Sequence, residues 1–244
     1  MNKELHETVT VIGSGTIGAS WATYFLAQGC SVQIWDPDSN FSERTKLFID
    51  NVWPIMKELG IAELASPDNA IYCKSMAEAI SGSTFVQESG PENAELKTKL
   101  IADVDNILSA DIVISSSSTA LPTSEFQGGA KHPERVVLGH PFNPPHLMPL
   151  VEVGGGKKTA AWAVDRAMDF YQKIGKSPVR LRAEIPGHLA NRLQAAVYRE
   201  AVYLVSEGYA SVSDIDIAMA QGPGLRWAFM GPHMTYHLGG GSGG

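Results

Sequence analysis

The sequence predicts an α/β fold: a Rossmann-type, doubly wound, mostly parallel sheet followed by a smaller all-helical domain. Three observations predict it. A β-branched apolar run, Val9 to Ile12, breaks at Gly13-Ser-Gly-Thr-Ile-Gly18 and passes straight into a helical pattern. Short apolar strands then alternate with amphipathic helical segments over about 180 residues, the pattern of parallel strands joined by helical crossovers. Past Glu184-Ile-Pro-Gly187 only helical periodicity remains. The expected division is a nucleotide-binding domain over 1–183 and a helical substrate and dimerisation domain over 184–244, too thin to stand alone and read as truncated.

The first turn says most about ligands. Gly13 allows the tight turn, Gly15 admits a pyrophosphate to the backbone, and Gly18 lets helix pack on strand. Thr16 and Ile17 open the helix, whose free N–H groups and positive dipole end suit phosphate. A second strand over 31–35 ends in Asp36, the acid expected roughly 20 residues past the turn to take both ribose hydroxyls. No Arg or Lys lies in Pro37-Asp-Ser-Asn40 to receive a 2′-phosphate, so the cofactor is read as NAD rather than NADP.

The remaining elements follow in order. A helix over 43–59 carries Leu47, Ile49, Val52 and Met56 as its apolar residues, and Pro54 should kink or divide it. A strand over 71–73 and a helix over 75–80 capped by Ser75 come next, then a strand over 84–87 that ends in Glu88 to Glu92. The clearest helix runs over 92–108, with Leu96, Leu100, Ile101, Val104 and Leu108 on one face. Strands are expected at 112–114, 136–138, 150–153 and 178–181, with a helix near 160–174. Beyond the break, Leu189, Leu193, Ala196, Val197, Leu204 and Val205 form one apolar stripe, and Ser213 caps a shorter helix over 214–220. The glycine-rich end, 239–244, reads as a flexible tail or a truncation point.

Composition excludes several classes. The 244 residues carry 26 acidic against 19 basic side chains, a net charge of −7, so nothing marks a nucleic acid or an anionic membrane as partner. Cys30 and Cys73 lack metal-ligand or CxxC spacing; no metal is expected, and reduced thiols in the cytoplasm fit best. The polar opening, Met1 to Glu7, is neither a signal nor a transit peptide, and no run approaches the ~20 apolar residues of a membrane span.

Three polar clusters follow strands directly, where a doubly wound sheet binds its ligand: Glu88 to Glu92, Ser115 to Thr119, and His140 with its proline-rich loop. Glu152, alone among apolar residues, is costly to bury without a partner, and His140 is the economical one. The carboxylate would fix the imidazole tautomer and raise its basicity, as removal of a hydroxyl proton requires. The plain alternatives are a hydrogen-bonded core histidine and a solvent-facing acid.

Gly139-His-Pro-Phe-Asn-Pro144, Pro149-Leu-Val-Glu-Val153 and Pro186-Gly-His-Leu-Ala-Asn-Arg192 resemble the three consecutive signatures of the 3-hydroxyacyl-CoA dehydrogenase family. The resemblance implies a catalytic pair at His140 and Glu152, a substrate-orienting Asn191, and a homodimer. It also implies cofactor contacts at Asp36, Glu92, Lys97 and Asn143, and an active-site hydroxyl on Thr119 or on Ser118 beside it. Acyl-CoA members carry a lysine-rich helical hairpin after the second strand, whereas 38–69 holds only Arg44, Lys46 and Lys57. Asn51-Val-Trp-Pro54 and Gly224-Leu-Arg-Trp-Ala-Phe-Met-Gly231 resemble instead the branch acting on free hydroxy acids, L-carnitine and L-gulonate dehydrogenases and the lambda-crystallins. Met234-Thr-Tyr-His-Leu238 leans to the first of these.

The expected function is NAD-dependent oxidation of the 3-hydroxyl of a small L-3-hydroxy acid, L-carnitine first, in carnitine and fatty acid metabolism. L-gulonate or an L-3-hydroxyacyl-CoA is the alternative substrate, and a non-catalytic, crystallin-like NAD-binding protein the alternative of another class. Arg192 and Arg226 are the candidates for a substrate carboxylate. Trp227, Phe229 and Tyr236 are the candidates for a trimethylammonium group, held by cation–π attraction.

Overall fold

The run Thr8–Ile12 forms the strand β1 and turns through glycine into α1 (Thr16–Ala27), which is almost wholly buried. The computed structural model describes residues 7–243, Ser242 by its backbone alone; the polar opening up to His6, read above for targeting signals, and Gly244 lie outside the described residues. After α1 come β2 (Ser31–Trp35), α2 (Phe41–Leu59), β3 (Ala70–Tyr72), α3 (Met76–Ile80), β4 (Phe85–Glu88) and α4 (Ala94–Asp105). Then follow β5 (Ile114–Ser116), α5 (Thr123–Phe126), β6 (Val136–Pro141), β7 (Leu150–Gly155), α6 (Ala161–Lys173) and β8 (Ser177–Arg180). These belong to a first unit that ends at His188, and a second unit begins at Leu189.

The eight strands form one sheet in the order β3-β2-β1-β4-β5-β6-β7-β8. Two apolar clusters cover its faces. One gathers Trp21 and Phe25 of α1, Trp53 and Met56 of α2, and Phe170 and Tyr171 of α6; the other gathers Ile80, Ile101, Val104 and Phe126. Aromatic stacking ties the first together, Trp21 on Phe25 at 5.0 Å and Phe85 on Phe170 at 3.9 Å between centroids. The central strands β4, β5 and β6 are buried along their whole length, whereas the edge strands β3 and β8 are partly exposed.

The sheet departs from a wholly parallel reading at one place. β7 pairs antiparallel with β6, and β8 then runs parallel to β7. The reason is connectivity: residues 142–149 join β6 to β7 without a helix, and a parallel return needs a crossover of a dozen residues or more.

Local corrections have local causes. Pro54 does not divide α2, because Pro54 and Asp50, whose carbonyl loses its partner, both face solvent. Leu96 stands 53% exposed instead of joining the apolar face of α4, and Leu47 of α2 is 62% exposed. α4 starts after Asn93, whose side chain accepts from Leu96 N, not at Glu92. The strand expected at 112–114 is displaced to Ile114–Ser116, since the serines pair with β4 and β6 in the ladder.

The second unit holds α7 (Ala190–Ser206), α8 (Val212–Gln221), α9 (Pro223–Trp227) and α10 (Pro232–Gly239), and a single 3-10 turn covers 241–243. Ser211, not Ser213, caps α8, in a reciprocal capping box with Asp214. Among the described residues of this unit no apolar side chain is buried; Leu193, Val197, Tyr198 and Val202 of α7 are all exposed. No helix among the described residues is long and apolar enough to cross a membrane.

Candidate active site

The order of strands reverses between β1 and β4, and ligands of such sheets bind in the crevice beyond the strand ends there. Gly13 (φ 88°) makes the turn at the end of β1, and a Cβ on it would lie 2.8 Å from the Ser89 backbone after β4. A Cβ on Gly18 would lie 1.8 Å from Gly13 O, so the helix can sit this close only as glycine. Gly15 has open space where its Cβ would stand. It is the N-cap of α1, with no side-chain cap bond and no acid in the first turn, so the N–H groups at Thr16 and Ile17 meet no competing anion. Asp36 follows β2 directly beside this turn, accepting from Ser14 N at 2.7 Å and Asp38 N at 2.9 Å. An open cradle, an uncapped helix start and a carboxylate at ribose distance along the chain fit a dinucleotide.

Beyond β4 the chain builds a second anchor. Lys97, 1% exposed, donates to both Glu88 oxygens at 3.0 Å and to Gly90 O at 3.2 Å, with Glu92 at 3.8 Å. Its ammonium is therefore committed to protein partners, chiefly the buried Glu88. Glu92 Oε1 receives N–H bonds from Thr119 (2.9 Å), Ala120 (2.8 Å) and Leu121 (3.2 Å), and the Ser118 hydroxyl at 2.8 Å. Burial pushes the Glu92 carboxyl up, but these bonds and the Lys97 charge outweigh it and hold the group below the usual carboxylate range. The 118–121 turn is thus wrapped on one carboxylate oxygen. Of the two candidate hydroxyl residues, Ser118 is fully buried and faces Glu92, while Thr119 is exposed.

His140 and Glu152 stand directly opposite each other in the β6·β7 ladder, so their side chains share one face. His140 Nδ1 lies 2.8 Å from Glu152 Oε2, with His140 4% and Glu152 1% exposed. A carboxylate only accepts, so Nδ1 carries a proton and Nε2 is the ring nitrogen that remains to serve as a base.

The loop between them is pinned from beneath. Ser20 Oγ of α1 meets His146 Nδ1 at 2.7 Å and accepts His146 N at 3.0 Å. Lys176 Nζ donates to Pro145 O and, at 3.0 Å, to Met148 O, and lies 3.5 Å from the Tyr24 ring centroid. Among the described residues no carboxylate pairs with Lys176, and burial lowers its pKa to about 7. Burial first, then the Lys176 charge, also lowers His146. Asn143, on the same loop, is exposed.

The remaining candidates lie in the second unit, on or near its helices. Asn191 and Arg192 are in the first turn of α7, and Arg226 and Trp227 end α9. Phe229 and Tyr236 are 83% and 77% exposed, and the rings of Trp227, Phe229 and Tyr236 do not stack on one another. Two residues escaped the sequence reading, and a third, Glu88, entered it only as the start of the polar cluster after β4, although an acid ending an apolar strand with Lys97 one helix turn into α4 announces their pairing. Lys176 follows a helix-ending glycine, a place usually solvated, and only the fold buries it. His188 sat inside a quoted motif without being weighed.

Comparison with known proteins agrees with this architecture. Residues 8–185 match the 3-hydroxyacyl-CoA dehydrogenase NAD binding domain, and 187–244 match the C-terminal domain of the same family. The L-carnitine dehydrogenase of Nocardiopsis dassonvillei is 48% identical over 99% of this chain and 73% of its own. That of Pseudomonas aeruginosa is 42% identical over 98% and 74%. The crystal structure of 5-formyl-3-hydroxy-2-methylpyridine 4-carboxylic acid 5-dehydrogenase, an NAD+ dependent dismutase, superposes with a TM-score of 0.89 at 28% identity, over 96% of this chain and 76% of that one. With a dinucleotide cradle, a buried histidine–carboxylate pair and both family domains in sequence, the chain belongs to the 3-hydroxyacyl-CoA dehydrogenase family and is an NAD-dependent oxidoreductase.

Proposed function

We propose that the protein oxidises the 3-hydroxyl of L-carnitine to the ketone, with NAD as hydride acceptor. The observation that carries the substrate is the series of L-carnitine dehydrogenases, 41–48% identical to this chain over 97–99% of its length. In this reading His140 Nε2 takes the proton from the hydroxyl oxygen while the hydride leaves the carbon that bears it, and Glu152 stabilises the imidazolium that forms. Bound NAD supplies the acceptor for that hydride. Gly13, Gly15, Thr16, Ile17 and Gly18 hold its pyrophosphate, Asp36 its ribose, and Asn143 and the Glu92 turn its nicotinamide end. Thr119, the exposed hydroxyl of the turn, donates to the substrate oxygen, and Asn191 orients the substrate.

Arg192 and Arg226 are assigned to the carboxylate, which the guanidinium fork suits. Trp227, Phe229 and Tyr236 are assigned to the trimethylammonium group. The cations of α2 argue against a CoA substrate: Arg44 pairs with Asp38, and Lys46 with Asp50 at 3.1 Å. NADH formation, screened across L-carnitine, L-gulonate, L-3-hydroxybutyrate and an L-3-hydroxyacyl-CoA, tests the assignment. L-Carnitine with NAD is expected to give the highest kcat/KM, with NADP far poorer. Trp227→Ala should raise the carnitine KM by about 2- to 30-fold, since a cation–π contact contributes ~0.5–2 kcal/mol. Turnover of gulonate without carnitine would refute the substrate while leaving the dehydrogenase.

The exposed apolar face of α7 supports a homodimer. Leu193 and Val197 gain nothing from water, and patches of this kind mark interfaces. Sedimentation velocity at micromolar concentration should give a dimer; a well-folded monomer would contradict it.

A further inference from the structure

After β8 the chain turns through 185–188 at the edge of the site. Gly187 takes φ 75° and His188 φ 52°, and His188 is the single non-glycine residue with positive φ among the described residues. That region disfavours any side chain with a Cβ, so the surrounding contacts must enforce it. His188 N donates to Ile185 O at 3.0 Å, and Gly187 N to Ala120 O at 3.4 Å. The ring, 2% exposed, places Nε2 3.0 Å from Ser118 O. A carbonyl oxygen only accepts, so Nε2 bears the proton and Nδ1 is bare. The ring centroid lies 5.0 Å from that of His140.

The far end of this bond matters. Ser118 opens the turn whose N–H groups wrap Glu92, and it carries one of the two candidate hydroxyls, with Thr119 next to it. A carbonyl held at 118 therefore fixes both hydroxyl-bearing residues with respect to β6. Charge at this place would be costly. Burial lowers the His188 pKa most and the His140 charge lowers it further, while the Ser118 bond and the charges of Glu152 and Glu92 only partly compensate.

We propose that His188 is a positioning residue: its neutral imidazole, donating from Nε2, ties the Ser118 carbonyl and so sets the 118–121 turn relative to the His140–Glu152 pair. The proposal rests on the reading of that pair as the proton acceptor. It demands more than ring-sized packing, because an apolar side chain of similar size would leave the Ser118 carbonyl buried without its donor.

Two variants with the same backbone demand separate tether from filler. His188→Leu fills the space without a donor, whereas His188→Gln places an amide N–H where Nε2 stands. His188→Leu is expected to lower kcat about five- to tenfold, the worth of one buried hydrogen bond. His188→Gln should recover most of that loss. A native kcat in His188→Leu, or a His188→Gln no better than His188→Leu, overturns the tether. Nitrogen-15 spectra of the histidines in the native protein decide the matter even if neither variant folds. At pH 7 the His188 ring should be neutral with Nε2 protonated, and an imidazolium or the other tautomer overturns the proposal. His140→Ala, assayed in parallel, keeps the two readings apart. If it is inactive while His188→Leu is native, the tether alone fails; if it is active, the proton-acceptor reading fails and takes the tether with it.

Discussion

Replacing His140 by alanine is expected to slow NADH formation by roughly 10²–10⁴-fold while NAD affinity stays as it was. The size follows from what the side chain is arranged to do. Its Nδ1–H is held by Glu152 at 2.8 Å, so the basic nitrogen is Nε2, and the pair is buried away from competing water. The dinucleotide cradle is built from other strands, β1 and β2, so binding should not follow the rate. Glu152→Gln should be milder. The amide can still accept from Nδ1, but it carries no charge to stabilise the imidazolium. Steady-state rates together with a fluorescence titration of NAD check both parts. Native turnover in His140→Ala would remove the pair from the chemistry.

Stability should rise between pH 7 and 8.5 by about 1.5 kcal/mol, and Lys176→Met should abolish the rise. Burial lowers Lys176 to about 7, against 10.5 for a free lysine. Between those values the unfolded chain keeps a proton that the folded chain has given up, so stability increases with pH across the window. The cost of charging the buried amine is fully present below about pH 7 and is relieved above it, at up to about 1.4 kcal/mol per pH unit. Cys30 and Tyr24, both pushed up to about 12 chiefly by burial, act with the opposite sign once their unfolded counterparts ionise above about pH 9. Urea unfolding at pH 7 and 8.5, on native protein and on Lys176→Met, isolates the contribution. Equal stabilities of the native protein at both pH values would refute it.

Much of the fold was legible because its signals are local. Strand, glycine turn and helix at Val9 to Gly18 are set by backbone geometry, and Asp36 by the length of one βα unit. The pairing of His140 with Glu152 was readable from cost, since an acid between valines needs a partner. What stayed hidden depends on contacts far apart in sequence. Lys176 lies beside Tyr24 only once α1 and the approach to β8 are assembled, and nothing in Gly175-Lys176-Ser177 announces burial. His188 is hidden differently: non-glycine residues adopt left-handed backbone uncommonly, so a single histidine after Gly187 does not announce it even though histidine is among the side chains that tolerate it. The antiparallel β7 was within reach, for the missing crossover helix can be counted in the sequence.

That antiparallel pair makes the length of one loop a chemical quantity. Successive residues of a strand point to opposite faces, so a ladder displaced by a single position would carry Glu152 to the far side of the sheet, away from His140. Residues 142–149 join the two strands directly, and loop length helps fix hairpin register. Substitutions there alter contacts by degrees. An insertion or deletion taken up by the ladder acts by parity instead, since an odd shift removes the carboxylate from the imidazole altogether.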